Sequence, residues 1–142
     1  MPNSSANPIL NHVLITLNRG LLQYLGECSP WTAANEKSRQ EKVTELIAVQ
    51  KAEIERLVTL LTARRAYIDF GLYPTEYTDL QFLALDFLLD ETLENSQAGL
   101  SIITEAITAT ADDTAAQETL KHIQTSQQQI VSELEKLLAV NK

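Results

Sequence analysis

Proline placement does most to limit how this chain can fold. The four prolines stand at positions 2, 8, 30 and 74, so residues 31–73 and 75–142 contain none. A proline inside a helix removes a backbone hydrogen bond and drives its ring against the preceding turn. Long proline-free stretches are therefore where long helices can form. Apolar residues in these stretches recur every three or four positions, and alternating runs bounded by Asn-Gly or Asp-Gly turns are missing.

The spacing predicts four helices. The first covers about 8–25. Asn7 can cap it, Pro8 suits its first position, and Gly26 fits a left-handed residue just beyond its end. Leu10, Val13, Leu14, Leu17, Leu21, Tyr24 and Leu25 form its stripe. The second covers about 36–69, with Val43, Leu46, Ile47, Gln50, Ile54, Leu57, Val58, Leu61 and Ile68 on one face. Gly71 and then Pro74 are expected to stop it.

The third helix covers about 79–109 and follows a capping-box pattern, Thr78-Asp79-Leu80-Gln81. Phe82, Leu85, Leu89, Leu93, Ser96, Leu100, Ile103 and Ile107 form its stripe. The fourth covers about 113–139, with Leu120, Ile123, Gln127, Ile130, Leu134 and Leu138 in line. Asp112 and Asp113 sit at its start, where the helix dipole favours negative charge. Short connections make successive helices antiparallel neighbours. The expected fold is all-α: one domain over residues 1–142, an antiparallel up-down-up-down four-helix bundle with a short first helix.

Charge narrows the partners. The chain has 19 acidic and 11 basic residues, a net charge of -8, and no run of Lys and Arg. Such a surface repels phosphate backbones and anionic lipid, which argues against nucleic acid and membranes as partners. No apolar stretch reaches the roughly 20 residues needed to span a bilayer. Cys28 is the single cysteine, so no disulfide forms within the chain. The first residues lack the charged and apolar regions of a secretory signal. The expected location is the cytoplasm.

Three stripes carry a polar residue: Gln50, Ser96 and Gln127. Folding the helices back on one another at about 1.5 Å per residue brings all three to one height. A buried Gln–Gln–Ser layer could satisfy its own hydrogen bonds and fix the register of the bundle. A long bundle with polar residues at mid-height resembles the ferritin-like superfamily. The resemblance implies a di-iron centre built from Glu residues and two Glu-x-x-His motifs. Here no Glu is followed three positions later by His, and the nearest positional counterparts are Gln50-x-x-Glu53 and Glu91-x-x-Glu94. The resemblance also implies a long crossover between the second and third helices. The segment from Gly71 to Thr78 is too short to supply one. No metal residue is carried over, and no cofactor is expected.

Other chemistry-bearing residues read as structural. Asp86, Asp90 and Glu94 form a carboxylate row along one side of the third helix, with Arg64 or Arg65 as possible partners. His122 lies one turn from Glu118 on a polar face, and His12 lies off its stripe. A tight zinc site takes three or four ligands. Cys28, near Trp31, has no base close by in sequence. Gly-rich phosphate loops and nucleophile elbows are absent. The chain reads as a non-enzyme, with no catalytic residue assigned.

Leu80-Gln81-Phe82-Leu83-Ala84-Leu85-Asp86-Phe87-Leu88-Leu89 is apolar nearly all the way round. With Phe82, Leu85 and Leu89 facing the core, Leu80, Leu83 and Phe87 point elsewhere. The short first helix leaves a groove beside them. Exposed apolar patches mark interfaces, so these three are the candidate interface. The expected function is contact with a second copy, as a homodimer, or with a helical partner as an adaptor. The alternatives are a degenerate ferritin-like protein with a metal, redox or small-ligand role, and an apolar pocket beside the first helix.

Overall fold

The computed structural model describes residues 5–27, 37–80 and 84–140. It is an all-α bundle of four rods with a short, bent first one, and no strand occurs among the described residues. The first rod is split into α1 (Ala6–Asn18) and α2 (Leu21–Leu25). The others are α3 (Lys37–Ala63), α4 (Leu85–Ala109) and α5 (Thr114–Val140), with a 3-10 helix at Thr75–Leu80 between α3 and α4.

The first rod bends because Gly20 is extended, with φ -75° and ψ 169°. A Cβ there would sit 2.8 Å from the Thr16 carbonyl oxygen and 3.1 Å from Asn95 Oδ1. Asn95 Oδ1 instead accepts the Leu21 N–H at 2.9 Å and so restarts the helix. Two expected end signals behave otherwise. Asn7 lies inside the first turn of α1, and Gly26 is right-handed, with φ -73°.

Helix α3 stops at Ala63, six residues before the expected end. Arg65 takes the left-handed conformation, φ 54°. The Arg65 N–H reaches the Thr62 carbonyl at 3.0 Å and the Ala66 N–H reaches that of Leu61 at 3.0 Å. This is the Schellman pattern, closed on an arginine where glycine is usual. The Thr78 capping box likewise does not open α4. Asp79 and Leu80 complete the 3-10 helix, Gln81 lies outside the described residues, and α4 begins at Leu85.

The core consists of two apolar clusters, one at each end of the rods. One gathers Leu10, Leu14, Leu17, Leu57, Leu61, Ile103, Leu120 and Ile123. The other gathers Leu22, Leu25, Val43, Leu46, Leu85, Leu88, Leu89, Ile130 and Leu134. Each fully buried Leu or Ile contributes about 1.5–3 kcal/mol.

These clusters correct the expected running order. Both α3 and α4 begin in the second cluster and end in the first, so they run the same way. The first rod and α5 run the opposite way. The order is up-down-down-up, and the segment between α3 and α4 must travel the length of the bundle. It can because residues 66–74 are non-helical. Extended chain advances about 3.3 Å per residue against about 1.5 Å in a helix. This crossover lies along α1, with Gly71 against Ile15 and Tyr73 edge-on to Tyr24 at 5.0 Å between ring centroids.

Candidate functional site

Gln50, Ser96 and Gln127 are brought together at mid-height, each 3% exposed. A fourth residue, Gln23, joins them at 7%. Gln23 Nε2 donates to Gln50 Oε1 at 3.0 Å and to the Ile47 carbonyl at 3.1 Å. Gln50 Nε2 donates to Gln127 Oε1 at 3.2 Å, and Gln127 Nε2 donates to the Ser96 backbone carbonyl at 3.1 Å. Each amide passes a hydrogen bond to the next, so the aligned chain touches all four rods. Ser96 contributes its backbone. Gln23 was missed because it falls off the stripe that runs unbroken through Leu21, Tyr24 and Leu25. The bend at Gly20 changes the phase of α2, and all five of its residues are buried.

A second polar cluster ties three rods at one end. Arg64 grips Asp113 with two hydrogen bonds, Nη1 to Oδ2 at 2.8 Å and Nη2 to Oδ1 at 2.7 Å. Its Nη1 also donates to Asn7 Oδ1 at 3.1 Å. Asp113 Oδ1 accepts the Ala116 N–H at 3.1 Å, capping α5. The Arg64 guanidinium holds the Asp113 carboxyl below its usual range, against the opposing pull of burial. Arg64 is therefore engaged by Asp113 and not by the carboxylate row of α4. Asp86 pairs with Arg39 at 2.6 Å, while Asp90 and Glu94 are exposed.

His122 Nδ1 lies 3.0 Å from Glu53 Oε2, which is also 3.4 Å from Arg56 Nε. Its hydrogen-bonding carboxylate is thus on α3, and Glu118 is exposed. His12 is exposed beside an apolar groove between α1 and α4, lined by Pro8, Ile9, Ile102, Glu105 and Ala106. Among the described residues no three His, Cys, Asp or Glu side chains come close enough to hold one metal ion. Cys28 and Trp31 lie outside the described residues.

Of the candidate interface residues, Phe87 is 49% exposed. Leu83 and the side chain of Leu80 lie outside the described residues. The most exposed large apolar side chains belong to the crossover, where Tyr67 and Leu72 are 87% and 88% exposed and Phe70 is 46%. The crossover backbone beneath them is fastened to the first rod. Asn18 Nδ2 donates to the Phe70 carbonyl at 3.0 Å, and Arg19 Nε donates to the Gly71 carbonyl at 2.9 Å. The Arg19 guanidinium stacks 4.7 Å from the Tyr73 ring centre. Tyr77 accepts a hydrogen bond from Asn95 Nδ2 at 3.3 Å, and burial raises the pKa of both tyrosines. The segment read as the tail of a helix had concealed this surface.

No helix among the described residues is long and apolar enough to cross a membrane. Comparisons with protein-family models, curated proteins and solved structures return no match.

Proposed function

We propose that this chain is a non-catalytic, cytoplasmic helical bundle that acts through protein–protein contacts, with the crossover as its contact surface. One observation carries the reading. Tyr67 and Leu72 stand almost wholly in solvent on a backbone that Asn11, Asn18 and Arg19 hold in place. A large apolar side chain held out on fixed backbone loses little freedom on binding, which favours association. Phe87, 49% exposed near the start of α4, is a further exposed apolar side chain.

A photo-crosslinking amino acid at position 72, in cells that make the protein, tests this. Protein adducts should form there and be absent from a control at exposed Gln129 on α5. Equal labelling at both positions removes the reading.

The running order supports a second reading. A single long crossover between the second and third rods belongs to the ferritin-like layout, in which inward side chains from all four rods hold metal. Here Gln23, Gln50 and Gln127 occupy the centre, so this reading makes the chain a degenerate ferritin-like protein with amides at mid-height. Native mass spectrometry of protein purified without chelators tests it. Stoichiometric metal lost on Gln50→Ala favours a metal role, and metal-free protein favours the contact reading.

A further inference from the structure

We propose that the crossover and α1 together form the docking face for a second copy of this chain, with the two crossovers antiparallel about a two-fold axis. This rests on the contact reading and names its partner. The charge distribution selects both face and occupant. A chain of net charge -8 opposes its own association wherever carboxylates meet. Residues 1–26 hold no acidic residue and one basic residue, Arg19; residues 64–75 hold Arg64, Arg65 and Asp69. The other 18 of the 19 carboxylates lie elsewhere. Exposed acids stud the remaining rods: Glu41, Glu45 and Glu55 on α3, Asp90 and Glu105 on α4, Glu118 and Glu135 on α5. Asp69, the one acid among residues 64–75, has Oδ1 turned onto the Gly71 N–H at 2.9 Å, and Glu27 at the other end of the crossover is engaged by the Tyr73 hydroxyl. Two copies can meet here without opposing rows of carboxylates.

Shape gives the orientation. A hollow of about 470 Å³ lies between α1 and the crossover, lined by Asn7, Pro8, Asn11, Ala66, Tyr67 and Asp69. Leu72, 88% exposed, stands five residues further along the crossover from Tyr67, which lines the hollow. A two-fold axis between these points places each copy's Leu72 at the other's hollow, beside Tyr67, and makes the contact twice.

Sedimentation equilibrium and native mass spectrometry of the purified chain between about 1 and 100 µM test the proposal. The expected result is a reversible monomer–dimer equilibrium. Leu72→Glu and Tyr67→Lys, at positions nearly fully exposed, each weaken the dimer at least about tenfold while the melting temperature holds. Mixing the two variants restores association, because the heterodimer keeps one Tyr67–Leu72 contact and gains one Lys–Glu pair. A wild-type monomer throughout the range, a dimer that survives both substitutions, or a mixture no tighter than its components overturns the proposal. Adducts from position 72 to a different protein, with a monomeric chain, overturn this inference while leaving the contact reading standing.

Discussion

Asn11 pairs with Asp69 as one strand pairs with another. Its Nδ2 donates to the Asp69 carbonyl at 3.1 Å and its Oδ1 accepts the Asp69 N–H at 2.9 Å. An asparagine amide is a peptide group carried on a side chain, so one residue of α1 substitutes for a neighbouring strand. This part of the crossover, which has no helix or strand of its own, is thereby bonded to α1. Asn11→Ala removes both bonds at a site water can reach, at a cost of about 1–2 kcal/mol. The loss should be local. Hydrogen exchange at the Asp69 amide should speed up, while amides near Leu57 and Leu120 keep their protection. Equal acceleration at all three sites would show that the clasp stabilises the whole bundle instead.

The amide chain behaves as a unit. Gln50 both accepts from Gln23 and donates to Gln127, so Gln50→Met strands partners on each side of it. An orphaned buried polar group costs about 1–3 kcal/mol, whereas removing all members of a network can be nearly neutral. Urea unfolding should therefore show Gln50→Met destabilised by about 2–3 kcal/mol. The Gln23→Met/Gln50→Met/Gln127→Met triple variant should recover most of that loss. A triple variant as unstable as the sum of its singles would mean the chain contributes more than mutual satisfaction.

How much of this was legible in the sequence can be traced to single residues. Gln50, Ser96 and Gln127 stood in apolar stripes, where a polar residue is conspicuous. Their common height did not depend on running order, because all three lie near the middle of their helices. The order itself was hidden by Arg65. Left-handed helix ends are recognised by glycine, and this one is an arginine, so the pattern seemed to continue to Gly71. Reading residues 64–69 as helix leaves only the segment from Gly71 to Thr78 as the connection, and so short a connection implies antiparallel neighbours. Gly20 misled in the opposite way, since a glycine inside a helical pattern gives no sign of whether the helix bends.

Arg64 and Asp113 make stability depend on acid. The Asp113 pKa is depressed in the folded state, chiefly by Arg64. The unfolded state therefore takes up its proton first as pH falls. The stabilisation is complete above the unfolded value of about 4 and is lost as pH falls through the lower folded value. Asp113→Asn should flatten the stability–pH profile in that acid window. Arg64→Ala leaves a buried carboxylate unpaired and should cost about 3–5 kcal/mol at neutral pH. Chemical denaturation at pH 7 and at about pH 3 measures both. An Asp113→Asn profile parallel to wild type would rule out this pair as the source of acid sensitivity.

Three backbone positions should respond to glycine–alanine chemistry with opposite signs. Gly71 has φ +75°, and a Cβ there would come within 2.7 Å of Ile15 Cγ2. Gly71→Ala combines a left-handed penalty of about 1–2 kcal/mol with a steric clash, so it should destabilise by at least that much. Arg65 bears the same left-handed penalty with its own side chain, so Arg65→Gly should stabilise by about 1 kcal/mol even though glycine loosens the unfolded chain. Gly99 is ordinary helix, and its added Cβ would meet Gln127 Nε2 at 3.6 Å and Thr16 Cγ2 at 3.7 Å, normal contact distances. Gly99→Ala should therefore gain most of the helix-propensity difference of about 1 kcal/mol. Melting temperatures of the three variants give the ranking directly. A Gly71→Ala protein as stable as wild type would mean that the crossover can leave Ile15 at little cost, and that the surface carrying Tyr67 and Leu72 is not held as firmly as its hydrogen bonds indicate.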